Sequence, residues 1–140
     1  MFEVLVVTHG HLGSEMIATA QMLYGDLGEG VSAIGFVPGE SVDELYETIC
    51  SAIERSRPSG GVLILCDILG GSPFLTAARA AHEATGCPVE VVCGLNLGML
   101  LEVIAERDGL TPAQGSQVAI DAARQSIKGM GNGVESGGNA

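Results

Sequence analysis

Three short segments hold the residues best able to do chemistry: Thr8-His9-Gly10-His11, Asp67-Ile68-Leu69-Gly70-Gly71-Ser72-Pro73-Phe74 and Gly94-Leu95-Asn96. A carboxylate that accepts from one imidazole nitrogen fixes the tautomer and leaves the other nitrogen as a free lone pair. His9 oriented by Asp67 would be a nucleophile, and equally a base. Gly10 beside it leaves room for an incoming group. Gly71 and Ser72 stand at a helix start, where free N–H groups and the helix dipole favour an anion. One imidazole, one orienting carboxylate and one phosphate-sized anion nest point to transient phosphorylation of His9. Thr8 and Asn96 are candidate supporting residues. Each feature also has an ordinary reading: His9 as a polar cap on a turn, Asp67 as an acceptor for loop amides, Gly70-Gly71 as a tight connection. His11 lies further into the loop, and His82 falls in a helix as a solvated or packing residue.

Other chemistries lack their residues. There is no G-x-x-x-x-G-K-[ST] loop for ATP. No His, Cys, Asp or Glu cluster has metal-ligand spacing, and nothing calls for a cofactor. Ser14 and Ser72 do not sit in a G-x-S-x-G elbow, which weakens a hydrolase reading of His9 and Asp67.

The elements that must position these residues are legible in the pattern. Glu3–Thr8, Gly61–Cys66 and Val89–Cys93 are short, apolar and β-branched, and Val31–Val37 is a weaker strand. Continuous apolar runs suit strands covered on both faces, as in a parallel sheet. Helices are expected over Leu12–Tyr24, from the Ser41 capping box to about Arg57, from Ser72 as cap and Pro73 as first-turn residue to about Thr85 with Gly86 as stop, over Leu97–Asp108, and from Thr111-Pro112 to about Ile127. The alternation predicts an open, mainly parallel four-stranded α/β sheet with helices on both faces and strand order 2-1-3-4. That order puts the first and third strands side by side and the switch point between them, so that His9 and Asp67 face each other there.

Composition narrows the function further. With 17 acidic and 6 basic residues the formal charge is −11. The basic residues are scattered singly, which disfavours nucleic acid and anionic membranes as partners. The chain has no Trp and few aromatics, so no stacking platform for bases is expected. No apolar run approaches ~18 residues, and the N-terminus lacks the basic region and cleavage site of a signal peptide. A cytoplasmic location follows as an expectation. Cys50, Cys66, Cys87 and Cys93 form no C-x-x-C pair, and Cys66 and Cys93 read as small core residues. One domain is expected over residues 1–128, with a Gly-rich disordered tail over 129–140.

At Thr8-His9-Gly10, Asp67 to Phe74, and Gly94-Leu95-Asn96-Leu97 with Met99-Leu100, the sequence resembles the IIA component of the mannose family of the bacterial phosphotransferase system. The resemblance spans roughly residues 2–128. It implies a cytoplasmic phosphocarrier whose histidine, here His9, takes a phosphoryl group from phospho-HPr and passes it to a IIB component. It further implies that Asp67 supports the imidazole, that Gly71 and Ser72 lie at the phosphoryl group, and that membrane association is peripheral, through IIB alone. The family is dimeric, and a C-terminal segment can add a short antiparallel edge strand, sometimes to the partner subunit; here that strand would be Ile127–Met130. Gly98 stands where the family commonly has proline, and His11 is an added imidazole. No fused IIB domain is expected after so short a tail. The alternatives are a non-catalytic regulatory or binding module of the same fold, and a IIA of dihydroxyacetone phosphotransfer.

Overall fold

The computed structural model describes residues 1–131 of the 140-residue chain. The elements run β1 (Glu3–His9), α1 (Leu12–Tyr24), β2 (Val31–Phe36), α2 (Val42–Arg55), β3 (Val62–Cys66), α3 (Ser72–Glu83), β4 (Val89–Val92), α4 (Leu97–Glu106) and α5 (Pro112–Gln125), with a single 3-10 turn at Arg57–Ser59. The four strands are all parallel, in the order β2-β1-β3-β4.

Side chains alternate across this sheet, which sorts the core into two layers. Phe2, Val4, Val6, Leu63 and Leu65 pack on one face with Ala20 of α1, Met99, Leu100 and Val103 of α4, and Ala119 of α5. Leu5, Val7, Ile64 and Cys66 pack on the other with Leu45 and Ile49 of α2 and Ala77 of α3. Every residue of β3 is buried, which explains why its apolar run shows no alternation.

Helix starts follow local chemistry. Ser41 and Glu44 form a reciprocal capping box on α2, and Thr111 and Gln114 do the same on α5. At α3 the expectation is corrected: Gly71 is the N-cap, Ser72 is the first helical residue, and no side chain caps the helix. Gly71 already holds extended backbone angles, and its carbonyl takes the Leu75 N–H at 2.9 Å. The same helix stops at Glu83, two residues before Thr85, so Gly86 belongs to the following loop. The 3-10 turn at Pro58 ends α2 slightly early.

A second correction concerns the C-terminus. Residues 127–131 form no strand, and the edge of β4 carries no partner strand among the described residues. The tail expected from Gly129 falls mostly outside the described residues. One structural residue escaped the sequence pattern. Arg107 is 2% exposed and donates to the carbonyls of Phe2 (2.8 Å), Leu27 (3.3 Å) and Glu29 (2.6 Å), tying the entry of β1 to the loop before β2.

Candidate phosphoryl-acceptor site

β1 delivers His9 to the carboxyl end of the sheet, and β3, its neighbour, ends one residue before Asp67. The Asp67 carboxylate takes three N–H donors. Its Oδ2 accepts from the His9 backbone at 2.9 Å and from His9 Nδ1 at 2.7 Å, and its Oδ1 accepts from the Ile68 backbone at 2.9 Å. Burial pushes the Asp67 carboxyl upward, but the His9 backbone and ring and the Ile68 amide outweigh it and hold it below the usual aspartate range. An ionised carboxylate accepts only, so Nδ1 carries the proton and Nε2 presents its lone pair.

That lone pair is reachable. The His9 side chain is 46% exposed, against 9% for Asp67. Gly71 lies against the outer edge of the ring: a Cβ there would fall 2.8 Å from Cε1 and 3.4 Å from Nε2. The amino end of α3 therefore meets the imidazole on its Nε2 side. The first N–H groups of a helix have no intrahelical partner, and the Ser72 hydroxyl makes no hydrogen bond among the described residues.

The other candidates divide. Gly10 continues from His9 with φ +55° and donates its N–H to the Phe36 carbonyl at 2.8 Å, locking the turn to β2. Thr8 is fully buried and accepts from the Gly13 N–H at 2.9 Å, so it fixes the start of α1. Asn96 caps α4 by accepting from Met99 N–H at 2.9 Å and donates to the Ala123 carbonyl at 3.2 Å, which makes it part of the α4–α5 joint. Neither side chain bonds to the imidazole. Gly98 serves the same joint, where a Cβ would fall 2.6 Å from that of Ser126. His11 is exposed with no hydrogen bond to its ring, and His82 is exposed near the end of α3.

Four exposed apolar side chains lie on the segments flanking His9: Leu12, Ile68, Leu69 and Leu75. Single-sequence pattern could not single these out, because exposure is a property of the fold. Two grooves of about 450 and 440 Å³ lie elsewhere, between α4 and α5 and beside β4, and neither is lined by His9 or Asp67. With nearly half of its side chain exposed, the imidazole sits at the surface. Among the described residues no group of three His, Cys, Asp or Glu could hold a metal ion, and no helix is long and apolar enough to cross a membrane.

Comparison with known proteins decides the family. The family model EIIA-man, described as the fructose IIA component of the phosphotransferase system, matches residues 3–119. The chain belongs to the EIIA-man family. The mannose-specific EIIAB component of Escherichia coli K12 is 34% identical over 129 residues, which is 91% of this chain and 39% of that protein. The chain thus spans about two fifths of the length of these curated relatives. The sorbose-specific EIIA component of Lacticaseibacillus casei is 30% identical, covering 80% of this chain and 78% of that one. Among solved structures, EIIA of Streptococcus agalactiae superposes with a TM-score of 0.79 at 26% identity, covering 91% of this chain and 95% of that one. The matched family and the sorbose-specific relative are named as IIA components of the phosphotransferase system.

Proposed function

We propose that this chain is a phosphocarrier that accepts a phosphoryl group on Nε2 of His9 from phospho-HPr and passes it to a histidine of a IIB component. The observation that carries the reading is the pair of bonds that the His9 backbone N–H and Nδ1 donate to Asp67, which leaves Nε2 exposed at the start of α3. The Nε2 lone pair attacks the phosphorus of the donor phosphohistidine in line. The new N–P bond forms as the donor's N–P bond breaks, and the donor imidazole leaves with that electron pair. Asp67 offsets the positive charge that develops on the His9 ring. The N–H groups at the start of α3 and the Ser72 hydroxyl face the phosphoryl oxygens, and Gly71 keeps their approach clear. Transfer to IIB runs the same geometry in reverse.

An exposed imidazole with exposed apolar side chains on the segments that flank it fits delivery by another protein, for which no enclosing pocket is needed. The location would be cytoplasmic, with membrane contact only through IIB, and nucleic acid is not a partner. The assembly would be a homodimer. The unpaired edge of β4 and the adjoining groove, lined by Phe74, Val91, Ile120 and Ile127, support that contact.

The test is incubation with phosphoenolpyruvate, enzyme I and HPr, followed by intact-mass measurement. Wild type should gain one phosphoryl group and His9→Ala none. A folded wild type that gains nothing would favour a non-catalytic regulatory module.

A further inference from the structure

We propose that Gly35 on the edge strand β2 is a positioning residue for His9. The inference rests on the phosphocarrier reading for its consequence in transfer, though not for its geometry. The peptide units around His9 are held from both sides. The His9 N–H points to Asp67 beyond β3, and the Gly10 N–H points to the Phe36 carbonyl at the end of β2. Gly10 has a left-handed φ of +55°, which turns its carbonyl back over β2. That carbonyl comes to rest on Gly35, the residue paired with Thr8 in the ladder.

A Cβ at position 35 would collide with the Gly10 carbonyl oxygen, a backbone atom that no side-chain rotation can move away. Gly35 is not one of the glycines with positive φ, so backbone conformation does not require it. The missing side chain is needed only because the turn after His9 packs there. A methyl group would displace the Gly10 peptide, loosen its bond to Phe36 and tilt the His9 ring off the 2.7 Å Nδ1 contact with Asp67. No atom of the imidazole lies within 4 Å of the place a Cβ on Gly35 would take. Gly35 acts through Gly10, which distinguishes it from Gly71, whose backbone lies against the ring itself.

The test compares Gly35→Ala with Ser32→Ala, an exposed position on the same strand. The first readout is the NMR resonance of the His9 Nδ1–H, recorded with no phosphoryl donor present. The second is the rate of phosphoryl uptake from phospho-HPr. Gly35→Ala should shift or lose the resonance and slow uptake roughly tenfold to a hundredfold, while Ser32→Ala leaves both as in wild type. A purely structural role would lower the melting temperature and leave the resonance in place, and that result would overturn the proposal. If Gly35→Ala does not fold, replacing the Gly10 N–H by an ester oxygen through ligation at Cys50 deletes the bond to Phe36 without adding volume. An unmoved His9 resonance in that variant would equally overturn the proposal. A wild type that takes up no phosphate while the Gly35→Ala resonance moves would overturn the phosphocarrier reading and uphold the positioning of His9.

Discussion

At the scale of single residues, the division of labour within the His9–Asp67 pair governs what changes would do. Asp67→Asn keeps the shape of the side chain but replaces a full acceptor with a group that can present its N–H end to the ring. Loss of a charge-assisted hydrogen bond of this kind is worth about 1.5–3 kcal/mol, so transfer should slow by roughly tenfold to a hundredfold with the fold kept. A rate within twofold of wild type, roughly 0.4 kcal/mol, would mean that Asp67 serves only the loop amides. The same carboxylate gives a pH signature. Its folded value lies below the unfolded one of about 3.9, so its contribution to stability stands in full above that pH and is lost as the pH falls through the folded value. The stability gap between wild type and Asp67→Asn should shrink as the pH falls below about 4; urea titrations across that range would show this. Ser72 makes the opposite case. Its hydroxyl caps nothing, so Ser72→Ala should change stability by less than about 0.5 kcal/mol and still slow transfer. A stability loss of the size of a missing cap, about 1 kcal/mol, would restore the capping role that the structure removes.

At the scale of elements, the starts of helices explain both what the sequence reveals and what it hides. Ser41 and Thr111 announce α2 and α5 because each cap and its reciprocal partner lie three residues apart, within one local pattern. Gly71 gave no such signal. Whether it or Ser72 caps α3 depends on how the loop from Asp67 crosses His9, which is a contact between residues far apart in sequence. Asn96 was legible as a residue that matters but not for what it does. It holds α4 to α5, with Gly98 and Ser126 in close contact beside it. Asn96→Ala should therefore cost about 1 kcal/mol of stability and leave uptake of phosphate near the wild-type rate. Slow uptake by a variant of normal stability would bring Asn96 back into the site. The possible edge strand at Ile127–Met130 is not formed among the described residues of the single chain, since a run of four residues has no local means of pairing and only a neighbour can define it.

At the scale of the whole molecule, the parallel order 2-1-3-4 was readable because four apolar runs alternate with amphipathic stretches, and that order alone sets His9 beside Asp67. The exposed apolar side chains near His9 and the buried Arg107 were not readable, since both depend on which surfaces meet in three dimensions. The unpaired β4 edge bears on assembly. A net charge of −11 argues against a purely electrostatic contact, so the proposed dimer should persist in high salt. Sedimentation should show it at micromolar concentration, and a stable monomer there would remove the dimer while leaving the His9 chemistry intact, because His9 and Asp67 belong to one chain. The most direct test of the central claim is nitrogen-15 NMR of the histidine side chains after phosphorylation by phosphoenolpyruvate, enzyme I and HPr. The phosphoryl group should reside on Nε2 of His9 with Nδ1 still protonated, and be lost in acid and kept in alkali. A phosphoryl group on Nδ1 of His9, on His11 or on no histidine at all would contradict the account.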